Sequence, residues 1–273
     1  MSEAQTKSSQ TLSGVRRPPP KTHVTWRHTY RIIAARYPPV ALFERVADPA
    51  DWEALLEVES LTNERIRDAV GSIRLVPLEE RVSGPGAGWV MGAFTHIGWP
   101  SRFSDGSYGV YYTARSRDCA VAETAYHTGR FLAATSEPPC ELDMRVLVAG
   151  IDAVLHDLRG DPRRFQPVHD PNDYTASQAL GRTLHTAGSS GIVYRSVRLA
   201  SSECAAAFRP RAVRPLPRGD TSLLYHWDGE RIDRYWDYGA DRWIMTGLPE
   251  AGPHRPNPER GRPARPPRRS RSA

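Results

Sequence analysis

The sequence predicts an α+β fold, built as a single mixed-sheet domain between two disordered tails. Three observations carry this prediction. Strand-like and helix-like segments mix without the regular βαβ rhythm of a parallel sheet. No change in composition inside the chain marks a second domain. Both ends are polar and lack apolar periodicity.

The elements follow in order. Residues 1–21 run into Arg16-Arg17-Pro18-Pro19-Pro20 and read as a disordered tail. Tyr30-Arg31-Ile32-Ile33 reads as a short strand, closed by Pro38-Pro39. Asp48-Pro49 offers a cap and a proline at the first helical position. With Trp52, Leu55 and Leu56 as an apolar stripe, it predicts a helix to about Leu61. Inside the Gly/Pro/Ser-rich stretch from Arg81 to Ser107, Val90 to Phe94 reads as a strand, and Val110 to Thr113 as another. A helix is expected from about Asp118 to Ala133, with alanines and Val121 on its buried side. Leu142, Met144, Val146 and Val148 alternate as a half-buried strand does. Asp173 can cap a helix to about Ala187, with Gly188 just past its end. Ile192-Val193-Tyr194 is the next strand. Leu223 to Trp227 and Arg231 to Tyr235 form a hairpin around Asp228-Gly229, a dipeptide that type I′ turns favour. Residues 22–250 are the expected folded domain, and 251–273, with six prolines and seven arginines, the second tail.

Composition excludes several classes. With 39% hydrophobic and 25% charged residues, the 273-residue chain is no collagen, coiled coil or membrane bundle. No apolar run approaches the ~18 residues of a spanning helix, and the N-terminus lacks the apolar stretch of a secretory signal. Cys119, Cys140 and Cys204 are odd in number and lack CxxC spacing, which argues against a disulfide framework and a zinc site. A reducing cytoplasm is the expected location. The net charge of +6 sits in the tails, because residues 22–250 hold 26 basic and 29 acidic side chains. No direct contact with nucleic acid is therefore expected of the folded part.

Standard motifs are missing: no Walker loop, no GxGxxG after a strand, no HExxH, no GxSxG. Gly84-Pro85-Gly86-Ala87-Gly88 reads as a plain loop rather than a phosphate cradle, since proline lacks an amide donor and no lysine follows. His127 lies four residues after Glu123 on one helical face, as surface or packing pairs commonly do.

A distributed pattern remains. It comprises Tyr30-Arg31, Ser101-Arg102-Phe103-Ser104-Asp105-Gly106, Tyr111-Tyr112-Thr113-Ala114, Ala122-Glu123-Thr124, Asp173-Tyr174-Thr175-Ala176-Ser177-Gln178 and Gly191-Ile192-Val193-Tyr194-Arg195-Ser196. In their order and spacing these pieces resemble the RES domain family, over roughly Tyr30 to Tyr238. The resemblance implies an ADP-ribosyltransferase-like fold and a toxin that cleaves the nicotinamide–ribose bond of NAD by hydrolysis or phosphorolysis. NAD is then the substrate, with no further cofactor and no metal. The resemblance also implies a cognate antitoxin with a DNA-binding helix-turn-helix. Carried over by motif position, Glu123 is the catalytic carboxylate, Arg31 and Arg102 bind NAD phosphate or ribose, and Tyr112 lines the nicotinamide side. Either Ser196 or Thr175 is the functional hydroxyl. Pro100-Ser101 precede Arg102 where many members have Gly-Gly, and Ser104 stands where they have asparagine.

These residue types suit the reaction. A planar guanidinium binds pyrophosphate oxygens through paired, charge-assisted hydrogen bonds. Cationic nicotinamide leaves as a neutral ring and needs no strong acid. A carboxylate beside the ribose offsets the growing oxocarbenium charge and orients the acceptor. Taken singly, each residue has an ordinary structural explanation; only their combination points to a site. Two other readings are ADP-ribosyl transfer to a protein, and a non-catalytic RES-like scaffold or nucleic-acid binder using its arginine tails.

Overall fold

The computed structural model describes residues 18–37, 40–45, 48–60 and 65–247. The proposed tail segments 1–17 and 251–273 lie outside these residues, as does Leu61. Eight strands among the described residues form one mixed sheet: β1 (Lys21–Ala34), β2 (Tyr111–Ala114), β3 (Cys140–Asp157), β4 (Gly191–Arg195), β5 (Glu203–Ala207), β6 (Arg218–Trp227), β7 (Ile232–Asp237) and β8 (Arg242–Met245). Their order is β1-β2-β5-β4-β3-β6-β7-β8, and β1 also pairs with β3. That extra pairing runs from Lys21↔His156 to Ala34↔Met144. The β3–β4 pair is parallel and its neighbours are antiparallel, which gives the mixed sheet expected of an α+β chain.

The sheet carries a core on each face. Helix α5 (Arg117–Thr135) and helix α6 (Thr175–Thr186) cover one. There Val121, Leu132, Leu180 and Leu184 pack on Val146, Ile192, Tyr225 and Trp227. The second face is covered by α1 (Ala41–Arg45), α2 (Trp52–Ser60), α3 (Arg65–Val70) and α4 (Ala87–Thr95). Its core joins Phe43, Trp52, Met91 and Phe94 to Tyr111, Ile151 and Val193. Burial of these large side chains, at about 25 cal/mol per Å2 of apolar surface, is the main stabilising term.

Several elements differ from expectation. Val90 to Phe94 belong to the helix α4, not to a strand. A short apolar run has no period that separates the two, and here Val90, Met91 and Phe94 are buried on a helix that is apolar nearly all round. The Gly86 amide ahead of it donates to Glu44 Oε1 at 3.1 Å, so only the first half of the glycine-rich segment is a loop, held by the protein itself, while Ala87 and Gly88 open α4. Helix α2 starts at Trp52 rather than Pro49, because Asp48 Oδ1 accepts the Ala50 amide at 2.9 Å and closes a turn first. The β6–β7 connection is Asp228–Arg231, longer than a two-residue turn. Asp228 Oδ1 accepts the Glu230 and Arg231 amides, both at 2.8 Å. The first strand also begins before residue 22. Lys21 lies in β1, and Pro20 accepts the Asp157 amide at 2.7 Å, so Pro20 and Lys21 lie on the sheet rather than in a tail.

Candidate active site

Glu123 owes its position to the way α5 begins. Ser116 is extended, and its Oγ accepts the Cys119 amide at 3.3 Å, which starts the helix. Cys119, Glu123 and His127 then recur one turn apart and share a face. Ser196 lies just beyond the end of β4, where the chain turns back towards β5. Its Oγ accepts the Arg198 and Leu199 amides, each at 3.1 Å. Its own proton is thus directed at Glu123, whose Oε1 lies 2.6 Å away. The carboxylate side chain is 17% exposed, so it meets solvent without being surrounded by it.

Arg102 arrives on a tight loop. Ser101 and Ser104 form a bridge across it, and Gln178 Nε2 on α6 donates to the Ser101 carbonyl at 2.9 Å. The Tyr112 hydroxyl accepts the Phe103 amide at 2.9 Å and lies 2.8 Å from Ser101 Oγ. Burial pushes this phenol up to about 12, against the opposing effect of these hydrogen bonds. Tyr112 therefore anchors the loop that bears Arg102, and its hydroxyl is already engaged.

The Arg102 side chain is buried. Its Nη1 donates to the carbonyl of Asp170 at 2.9 Å, and its guanidinium carbon sits 4.5 Å from the Tyr174 ring centroid. These partners are a carbonyl and a π-face, so no acidic side chain neutralises the charge among the described residues. Nη2 is buried with no hydrogen-bond partner there. A buried donor left free costs about 1–3 kcal/mol, which an anionic ligand would recover.

Three further residues complete the mouth. The Arg198 guanidinium carbon lies 3.3 Å from the Tyr126 ring centroid, and its Nη2 donates to the Pro171 carbonyl and approaches the Tyr174 hydroxyl at 3.4 Å. Tyr126 in turn donates to Asn172 Oδ1 at 3.0 Å. The His127 Nε2 is 3.9 Å from Glu123 Oε2. Burial, followed by the charges of Arg198, Arg102 and Arg130, pushes His127 down to about 3. Its side chain keeps 46% of its surface open, and the three arginine charges act in the same direction as its partial burial. Beside Ser196 is a hollow of about 500 Å3, lined in part by Arg159, Gln166, His169, Asp170 and Arg195.

The fold brings Arg102, Glu123, Ser196 and Tyr112 to one region and leaves two predicted residues out. Tyr30 and Ile32 pack with the first core, so Arg31 faces the second, its guanidinium carbon 4.6 Å from the Tyr111 ring centroid. Its Nη1 donates to the Tyr112 carbonyl at 3.0 Å. Burial lowers its pKa. Thr175 is exposed at the first turn of α6, where its amide donates to Asp173 Oδ1 at 2.8 Å. Ser196, not Thr175, is the hydroxyl that touches Glu123. Sequence reasoning missed Tyr174 and Arg198 as site residues. The Glu123/His127 spacing was a visible signal for His127, and Arg198 carries none.

Cys119 and Cys204 also meet here, their sulfurs 3.5 Å apart. The hydrogen bond between the thiols lowers the pKa of Cys119 and raises that of Cys204, while burial raises both.

Comparison with known proteins adds the family. The chain is 29% identical over 212 residues to the uncharacterized protein y4oC of Sinorhizobium fredii, covering 74% of this chain and 84% of that protein. Among solved structures it is similar to the M. tuberculosis MbcT–MbcA toxin–antitoxin complex, at 12% identity and a TM-score of 0.39, over 76% of this chain and 87% of that one. The RES domain model matches residues 78–228, a span that holds Arg102, Tyr112, Glu123, Thr175 and Ser196 but not Arg31. That span is more than half of the chain, and the chain belongs to the RES domain family.

Proposed function

We propose that this protein is a RES-type toxin that cleaves the nicotinamide–ribose bond of NAD. The observation that carries the reading is the meeting of Arg102, Glu123 and Ser196 at one mouth, from a loop, a helix and a strand end far apart in sequence. The pyrophosphate binds the unspent Arg102 Nη2, with Arg198 contributing the second positive charge. The Tyr174 and Tyr126 rings stack on the Arg102 and Arg198 guanidiniums and so hold the two charges in place for the pyrophosphate. As nicotinamide departs, positive charge grows on the ribose, and the Glu123 carboxylate offsets it while holding a ribose hydroxyl or the acceptor. Ser196 keeps that carboxylate in one rotamer through its donated proton. His127, held neutral, does not screen the arginines with a competing positive charge. A cognate antitoxin with a helix-turn-helix, expected from the family, would hold the activity in check.

The test is chemical. Purified protein is incubated with NAD, with and without inorganic phosphate, and the products are separated. Free nicotinamide with ADP-ribose indicates water as acceptor, and a phosphorylated ADP-ribose indicates phosphate. Label retained on protein indicates transfer. Unchanged NAD with folded protein, in all conditions, would sink the reading.

A further inference from the structure

We propose that Cys119, Cys204 and Glu123 form a binding site for a borderline-soft divalent cation of the Zn2+ class. Cysteine spacing along the chain argues against zinc, yet the fold joins two thiols 85 positions apart. Cys119 and Glu123 are one turn apart on α5, and Cys204 enters from β5, so the donors stand on two rigid elements. Their ligand atoms all lie within 4.8 Å of one another.

The spacing and the donor set both fit. The sulfurs are 3.5 Å apart. Two Zn–S bonds of about 2.3 Å at a tetrahedral angle place sulfurs roughly 3.8 Å apart, so a small opening admits the ion. Hard cations such as Mg2+ and Ca2+ favour all-oxygen ligand sets, whereas two thiolates and a carboxylate suit Zn2+. A water completes the fourth position, because the lone pairs of Ser196 Oγ are taken by the Arg198 and Leu199 amides. A disulfide between the same sulfurs would use two of the three donors and leave Glu123 idle. Coordination replaces thiol protons with the metal and releases them to solvent, and no oxidant or reductant is involved.

A cation bound here takes up the Glu123 electron pairs that the proposed reaction needs, and so inhibits NAD cleavage. The inhibition rests on the proposed function; the binding does not.

The full chain, reduced and metal-free, is titrated with Co2+ as the spectroscopic probe and then with Zn2+ as competitor. The expected result is one Co2+ per chain with the visible bands of a tetrahedral ion and a near-ultraviolet sulfur-to-cobalt band. Cys204→Ala and Glu123→Gln should each weaken Co2+ binding by at least about 100-fold, beyond the 10–100-fold typical of outer-shell partners. Cys204→Ala protein should still cleave NAD and lose its sensitivity to Zn2+. Cys119→Ala, checked by circular dichroism, serves as a second variant if Cys204→Ala folds poorly. A folded parent without the sulfur-to-cobalt band, or folded variants with undiminished affinity, would overturn the site. So would a parent that takes up no Co2+ while its two thiols close to a disulfide under mild peroxide. A parent that binds Co2+ through sulfur yet leaves NAD intact supports the site and counts against the proposed function.

Discussion

Ser196 and Glu123 are 73 positions apart and share a 2.6 Å hydrogen bond in which the serine hydroxyl donates. The direction is dictated by the two backbone amides that already occupy the lone pairs of Ser196 Oγ. A turn that closes the β4–β5 connection thereby becomes the clamp on a carboxylate.

Glu123→Gln keeps the size of the side chain and removes its charge. NAD turnover should fall far more than NAD affinity, because the charge is needed chiefly as the oxocarbenium forms. Calorimetry and product release on the same preparation check this. Equal losses in both would make Glu123 a ground-state binding group.

Ser196→Ala removes one donor and one acceptor at once. The Arg198 and Leu199 amides lose their partner, at about 1–3 kcal/mol if they remain dry. A lowered melting temperature is expected together with reduced turnover. Ser196→Thr, which keeps the hydroxyl, should recover much of both.

Arg102→Lys preserves charge and loses the planar fork. NAD binding should weaken by about 1–3 kcal/mol, the scale of a charge-assisted hydrogen bond. Tyr112→Phe should weaken it as well, since the Phe103 amide and Ser101 lose the hydroxyl that seats the loop. Undiminished affinity in both folded variants would remove the loop from the binding site.

His127 is held down to about 3 in the folded protein, below its ordinary 6.5. Between these values the unfolded chain binds a proton that the folded chain does not. Stability therefore rises with pH through that window and falls as the solution is acidified. His127→Gln should flatten this part of the melting-temperature profile. An unchanged slope would assign it to other groups.

A chain beginning at Thr22 loses the Pro20 carbonyl that accepts the Asp157 amide, and the Lys21↔His156 pair. It should melt below a chain beginning at Pro18, by an amount equivalent to about 1 kcal/mol for the net loss of a hydrogen bond.

Much of the fold was legible where caps and periods speak. Helix α5 begins within a residue of its expected start, and α6 ends just before Gly188, as read. Strand β5 was invisible because Ala205, Ala206 and Ala207 have little strand preference. They are small because the strand is flanked on both edges and buried on both faces. Strand β1 was seen only at Tyr30 to Ile33, since its first half carries basic and polar side chains on an exposed face. In the site, the order of motifs pointed to Glu123 and left Ser196 and Thr175 as alternatives, of which only Ser196 touches the carboxylate. Tyr174 lies inside the Asp173–Gln178 piece but was not singled out there, and Arg198, on the β4–β5 connection, belongs to no motif. The Cys119–Cys204 meeting depends on β5, so it could not be read before that strand was known.

Arg31 stands behind the site and still reaches it. One residue, Tyr112, gives its carbonyl to Arg31 and its hydroxyl to the loop of Arg102. Tyr112 thus acts as a rivet through the thickness of the sheet, with a charged head on the reverse side. Arg31→Ala removes that head, and although β5 still pairs with the strand, the expected effect is a less firmly seated guanidinium on the opposite face. An arginine that faces away from the mouth in this way governs where its counterpart is held.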